Sequence, residues 1–179
     1  MVELAGPRVR LRPPALADLE ALVALHEDDS GTMTRESGDA TREKLRKRIE
    51  RNPTLEDGGF LSLVVEVDGE PAGDIQARAP QNGFPPGVCE IGISLASGLR
   101  GKGYGLEAVE LFTTHLLEGG WPRVQASTAL DNAAMRRVLE RAGYVYEGIL
   151  HAFAPGDGGT REDYALYARF RSGDNGDRT

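Results

Sequence analysis

Cysteine is almost absent from this chain: Cys89 is the only one. An internal disulfide is therefore excluded, and nothing points to an exported, disulfide-stapled domain. Long apolar runs are missing too. No stretch approaches the ~20 residues of a membrane-spanning helix. The opening Met1-Val2-Glu3-Leu4-Ala5 is too short and too acidic to read as a signal peptide. Positive charge is in deficit, with 21 Lys and Arg against 28 Asp and Glu, a net charge of -7. Most of the surface would repel nucleic-acid phosphates, whereas a cationic, amine-bearing substrate is compatible with it. No cluster of His, Cys and carboxylates has metal-ligand spacing, so no metal is expected. These absences lead to the expectation of a cytoplasmic protein with no membrane or nucleic-acid partner. The 179 residues suffice for one domain with a full core.

What is present reads as one α/β domain over residues 1–171, followed by a polar tail, 172–179. Val9-Arg10-Leu11-Arg12 alternates as a short strand, ended by Pro13-Pro14. Leu16, Leu19, Leu22, Val23 and His26 recur at helical spacing. Residues 28–38 show no period and read as a loop. Thr41 is placed to cap a second helix, with Leu45 and Ile49 on one face and a basic run from Arg42 to Arg48 around it. Such a run is either a solvated face or a surface for an acidic partner. Phe60 to Val67 and Pro71 to Arg78 are strands around Asp68-Gly69, a hairpin signal. Residues 80–87 are a Pro- and Gly-rich loop. Val88 to Leu95 is a buried strand, and a helix then runs to Glu118 before Gly119-Gly120. Val124 to Thr128 is a strand. Asp131 or Asn132 caps a helix ending at Ala142, with Gly143 at the left-handed position after it. Tyr144 to Leu150 and Asp163 to Phe170 are the last strands, joined by a glycine-rich loop near Pro155.

The most informative stretch is Arg100-Gly101-Lys102-Gly103-Tyr104-Gly105, between the buried strand and its helix. Backbone N–H groups at such a helix start favour an anion. Glycine at 101, 103 and 105 lets the main chain approach a phosphate closely, and Arg100 and Lys102 add positive charge. A nucleotide P-loop would need Ser or Thr after Gly101-Lys102, where Gly103 stands. A dinucleotide fingerprint would need glycine where Leu106 stands. The pattern that fits is Arg-x-x-Gly-x-Gly, which resembles the acetyl-coenzyme A loop of the GNAT superfamily of N-acetyltransferases. Cys89-Glu90-Ile91-Gly92-Ile93 before it, and Asn132-Ala133-Ala134 through Ala142-Gly143-Tyr144 after it, are similar to the branch containing the ribosomal-protein alanine acetyltransferases.

That resemblance covers nearly the whole chain. It implies a single-domain α/β fold whose mixed, mostly antiparallel central sheet is splayed at the acetyl-coenzyme A site and flanked by helices. It implies acetyl transfer to a primary amine, on a small molecule or a protein N-terminus, by direct attack. The backbone of Ile93, Ser94 and Leu95 would pair with the pantetheine amides, and the Ile93 N–H would face the thioester oxygen. Arg100 to Gly105 would hold the pyrophosphate. Asn132 would contact the cofactor, its plain alternative being a helix cap, and Arg137 would reach the phosphates or stand solvated. An exposed sheet edge would allow pairing with a second copy.

Direct attack needs a neutral amine, so a base must take its proton. Glu90, at the head of the splayed strand and among apolar residues, is the expected base; its plain alternative is a structural partner for a nearby donor. The proton donors of related enzymes do not transfer. Met135 stands where a serine is usual, Leu139 where another branch has tyrosine, and Ala154 where a glutamate is found. His151, Tyr146, Glu162 and bound water are the alternatives. Cys89 reads as a core residue rather than a nucleophile. The rival reading from another class is a non-catalytic acyl-coenzyme A-binding module. The loops that would decide the acceptor, 28–40 and 80–87, carry no recognisable code.

Overall fold

A computed structural model describes residues 2–28, 39–79 and 85–171. Most of the loops expected over 28–38 and 80–87, and the tail after 171, lie outside the described residues. Eight strands form one sheet: β1 (Leu4–Ala5), β2 (Val9–Arg12), β3 (Phe60–Val67), β4 (Glu70–Arg78), β5 (Val88–Leu95), β6 (Arg123–Ala129), β7 (Val145–Pro155) and β8 (Arg161–Phe170). The helices are α1 (Leu19–Asp28), α2 (Asp39–Arg51), α3 (Leu55–Gly58), α4 (Tyr104–Glu118) and α5 (Ala133–Arg141). The strands lie in the order β1-β2-β3-β4-β5-β6-β8-β7, and every neighbouring pair is antiparallel except β5 and β6.

The two faces of the sheet are covered differently. Phe112, Val109 and Leu116 of α4 and Leu139 of α5 pack on Leu63, Val65, Ile75, Ala77, Cys89 and Ile91 in the main core. On the opposite face, Leu22, Val23 and Leu25 of α1 and Leu45 and Ile49 of α2 pack around Val64 in a smaller core. Because side chains alternate along a strand, residues opposite each other in neighbouring strands share a face. Val64 stands opposite Asp74, which stands opposite Ser94. Two steps along, Ser62 faces Gln76 and Gln76 faces Gly92; two more, and the row is Phe60, Arg78, Glu90 and Gln125. The α1/α2 face of the central strands is therefore polar, and the α4/α5 face is apolar.

Several expectations are refined. The hairpin at Asp68-Gly69 is present, with φ of 53° and 83° at those two residues, as a type I′ turn demands. Thr41 is no cap: α2 begins at Asp39, so Thr41 sits inside the helix. The first helical turn, Leu16–Asp18, is a 3-10 turn, and α1 proper begins at Leu19. β1 and α3 went unread because two and four residues are too few to set up a period. α3 is nonetheless built by local chemistry, the Thr54 hydroxyl accepting the Asp57 N–H at 3.1 Å. β7 was expected to stop at Leu150 but reaches Pro155. Its register slips between Tyr146 and Gly148 and between Leu150 and Ala154. Each bulge breaks the two-residue alternation that marks a strand.

Candidate active site

The opening between β5 and β6 is the central feature. The two strands pair only over Val88, Cys89 and Glu90 with Arg123, Val124 and Gln125. Beyond that, β5 stays with β4 as far as Leu95, and β6 stays with β8 as far as Ala129. The sheet splits into a V whose arms are each held from the outside. The Ala96 N–H donates to Ala72 O at 3.0 Å, which fixes the phase of the β4–β5 ladder. Strand alternation then turns the N–H and C=O of Ser94, Gly92 and Glu90 toward β4, and those of Ile91, Ile93 and Leu95 toward the opening. Of the three residues expected to meet the cofactor through their backbone, Ile93 and Leu95 thus face the V. Ser94 instead faces β4 and presents its side chain to the polar face. The Leu95 carbonyl accepts from Arg100 Nε at 2.8 Å.

The glycine loop closes the wide end of the V. Ser97–Leu99 makes a 3-10 turn, and Arg100 to Gly103 lead into α4. Gly101 and Gly103 have φ of 75° and 89°, the left-handed region that side chains with a Cβ avoid. Gly103 occupies the cap position of α4 with no side-chain cap, and the first α-helical bond there is Glu107 N–H to Gly103 O at 3.2 Å. The N–H groups of Tyr104, Gly105 and Leu106 have no intrahelical acceptor, as at any helix start. A Cβ on Gly105 would come within 3.3 Å of Leu95 Cδ1, so this glycine lets the helix sit against the end of β5. Lys102 is exposed.

One residue of this region was missed in the sequence. Arg8, in the turn between β1 and β2, reaches across to the loop. Its Nη1 donates to Lys102 O at 3.0 Å, its Nε to Glu107 Oε2 at 3.1 Å, and its guanidinium lies 5.1 Å from the Tyr104 ring centroid. Glu107 also accepts the backbone N–H groups of Arg8 (2.7 Å) and Val9 (2.9 Å) through Oε1. Burial would raise the Glu107 pKa, but those donors outweigh it and hold the carboxyl below its ordinary value. The two halves of this clasp are 99 positions apart, so no local spacing could have revealed it.

Asn132 follows β6 and opens α5, where its Oδ1 accepts the Met135 N–H at 3.1 Å. The capping role is therefore present in the structure, and the residue is exposed beside the V. Arg137 is exposed on α5. Its neighbour Arg136 is occupied, donating to the Tyr167 hydroxyl at 3.2 Å and to Leu130 O at 3.1 Å.

Glu90 lies at the apex of the V, where β5 and β6 part. It is half-buried. Its carboxylate accepts from Gln125 Nε2 at 3.0 Å and lies 3.4 Å from Ser127 Oγ. The expected apolar surroundings are not there: β6 turns two polar side chains toward it. Both neighbours are groups that water or an incoming amine can replace or join. Of the alternatives, Tyr146 packs edge-on against Tyr167, with ring centroids 5.4 Å apart. Tyr167 stands opposite Ala126 in the main core, so Tyr146 is on the far face of the sheet from Glu90. His151 Nδ1 meets Asp163 at 2.8 Å with its side chain 77% exposed. Glu162 is exposed on β8. Leu139 is fully buried in the main core. Cys89 is also fully buried, and burial pushes its thiol up to about 12. Its thiol lies 3.9 Å from Arg123 O within the main core, as befits a core residue. Among the described residues no group of three or more His, Cys, Asp or Glu is placed to hold a metal. No helix there is long and apolar enough to cross a membrane.

Residues 8–145 match the family model described as "Acetyltransferase (GNAT) domain". No protein of curated function matches the sequence. Among solved structures, a putative acetyltransferase from T. thermophilus is 29% identical with a TM-score of 0.73, covering 96% of this chain and 90% of that one. Ribosomal-protein-S5-alanine acetyltransferase from Vibrio fischeri has a TM-score of 0.82 at 19% identity, with 97% and 98% of the two chains covered. Mycobacterium smegmatis RimJ, solved with CoA-disulfide, has a TM-score of 0.75 at 23% identity, covering 94% and 86%. With a family model spanning most of the chain, and a V-shaped sheet opening that ends on a glycine-rich helix start, this protein belongs to the GNAT family and is an N-acetyltransferase.

Proposed function

We propose that the chain transfers an acetyl group from acetyl-coenzyme A to a primary amine at the apex of the β5/β6 opening. The observation that carries this reading is the opening itself, with the backbone groups of Ile91 and Ile93 turned into it and the start of α4 at its mouth. An extended pantetheine arm adds to β5 like a short strand, in place of the missing stretch of β6. Its pyrophosphate then meets the N–H groups and positive charges of Arg100 to Gly105. Asn132 and Arg137 line the other arm of the V and complete the cofactor contacts. The Ile93 N–H is the donor for the oxygen that becomes negative as the amine attacks. In acyl-transfer enzymes such a donor is worth about 3–4 kcal/mol.

Glu90 accepts the amine proton, through a water held between it, Gln125 and Ser127. Proton return to the sulfur falls to water, since Leu139 is fully buried and Met135 has no proton to give. Calorimetry with coenzyme A, and free-thiol release from acetyl-coenzyme A over a panel of amines, test this together. Expected are coenzyme A binding with one site per chain and amine-dependent thiol release. A folded protein that binds no coenzyme A would overturn the reading.

A further inference from the structure

Among the described residues most arginines hold an ion pair or a hydrogen bond. Arg8 meets Glu107, Arg12 meets Asp18 and Glu66, Arg42 meets Glu20, Arg46 meets Glu43 and Glu50, and Arg123 meets Glu147. Two half-buried ones break this pattern. Arg48 on α2 and Arg78 at the end of β4 are withdrawn from water, yet among the described residues neither makes an ion pair or a hydrogen bond. Removing a guanidinium from water without an acceptor is costly, so a protein that keeps two such groups together has another use for them.

Their position says what that use is. Arg48 lies over the Phe60 ring, its Cζ 4.5 Å from the centroid. Arg78 stands directly opposite Phe60 on one side and Glu90 on the other. The Glu90 carboxylate opposite it makes its contacts to Gln125 and Ser127. Burial pushes Arg48 below the ordinary guanidinium range; the Asp74 charge opposes this, and the like charge of Arg78 adds to it. The Arg78 guanidinium reaches over Gly92 on β5. A Cβ there would lie 3.8 Å from Arg78 Nη2 and 3.4 Å from Gln76 Nε2. All of this is on the polar face, one residue along β5 from Ile93.

We propose that Arg48 and Arg78 form an anion-binding subsite for the acceptor, so that this enzyme acetylates amines that also carry a carboxylate or a phosphate. The proposal rests on the β5/β6 opening being the site of acetyl transfer. Guanidinium groups bind both kinds of oxyanion through paired N–H donors. Glu90 and Gly92 stand two residues apart in β5, so amine and anion lie within about 7 Å. That suits acceptors in which a few bonds separate them. The acceptor's amine approaches Glu90 while its anion offsets the two half-buried cations.

The test uses the full chain saturated with coenzyme A, so that the glycine loop is already filled. Inorganic phosphate and acetate are titrated separately against wild type, Arg48→Met and Arg78→Met, with Arg78→Lys as the charge-preserving control. Methionine keeps the length and apolar stem of arginine. Wild type should bind at least one anion, each Met variant at least tenfold more weakly, and the Lys variant in between, with coenzyme A affinity unchanged throughout. Whichever anion binds more tightly identifies the acceptor's group. Among amines that are acetylated, β-alanine should exceed β-alaninamide, or 2-aminoethyl phosphate exceed ethanolamine, at least tenfold in kcat/KM, and Arg78→Met should erase the difference. Coenzyme A binding without anion binding, or anion binding that survives both Met changes, overturns the subsite alone. Loss of coenzyme A binding by wild type would instead remove the reading beneath it.

Discussion

Replacing Glu107 by alanine should be among the most damaging changes available outside the apolar core. Its carboxylate is 13% exposed and accepts from two backbone N–H groups and one guanidinium. A hydrogen bond to a charged group contributes about 1.5–3 kcal/mol. The Arg8 side chain is 52% exposed, so that ion pair is discounted to about 0.5 kcal/mol. Water can reach the Arg8 N–H once the carboxylate is gone, which favours the low end for the remaining bonds. Glu107→Ala should therefore cost about 3.5 kcal/mol. For a chain of this size that lowers the melting temperature by roughly 7–14 °C. Glu107→Gln keeps one oxygen for both backbone donors and loses the charge and the acceptor of the Arg8 Nε bond, so it should cost about 1 kcal/mol, or roughly 2–4 °C.

The pH dependence has a definite sign. Glu107 is held below its ordinary value when folded. Its contribution is complete above the unfolded value of about 4.3 and is lost as pH falls through the lower folded value. The gap between wild type and Glu107→Gln should be full at neutral pH and close below about pH 4. Thermal unfolding followed by circular dichroism at several pH values checks both points. An alanine variant melting within about 2 °C of wild type, less than 1 kcal/mol by the same conversion, would refute the accounting.

Three further outcomes are expected. Gly103→Val should abolish coenzyme A binding in calorimetry while the protein stays folded, because φ of 89° and the Arg8 guanidinium, 3.1 Å from a Cβ there, leave no room for a branched side chain. Asn132→Asp should leave the melting temperature unchanged, since aspartate caps equally well, but weaken coenzyme A binding by placing a negative charge beside the phosphates; equal affinity would leave only the cap. Glu90→Gln should lower kcat/KM by roughly 100-fold with coenzyme A affinity retained, and the loss should shrink at high pH, where free amine is abundant. Full activity at pH 7, with chemistry rate-limiting, would falsify the base role, and His151 would be changed next.

The glycine loop and the helix start behind it were legible because their chemistry is local. Glycines at 101, 103 and 105 and the helix behind them stand in one short stretch, and their conformations follow from residue type. The Asn132 cap and the left-handed Gly143 were readable for the same reason. The surroundings of Glu90 were not. Its neighbours come from β6, and Gln125 and Ser127 meet it because the parallel register sets Glu90 opposite Gln125. Arg8 and Glu107, or Arg48 and Arg78, are likewise brought together by the fold from separate elements. The end of β7 was lost to bulges, and Thr41 to a helix that starts two residues earlier than its cap chemistry suggests.

The burial of the single cysteine has a practical use. Cys89 is sealed between sheet and α4, with its thiolate form strongly disfavoured. A thiol-reactive dye added to the folded enzyme should stay silent toward the protein and colour only the coenzyme A that turnover sets free. The same dye, without substrate, becomes a clock for opening of the main core. One slow equivalent appears per chain that unfolds, so the rate of colour development reads global stability from inside the sheet with no label introduced.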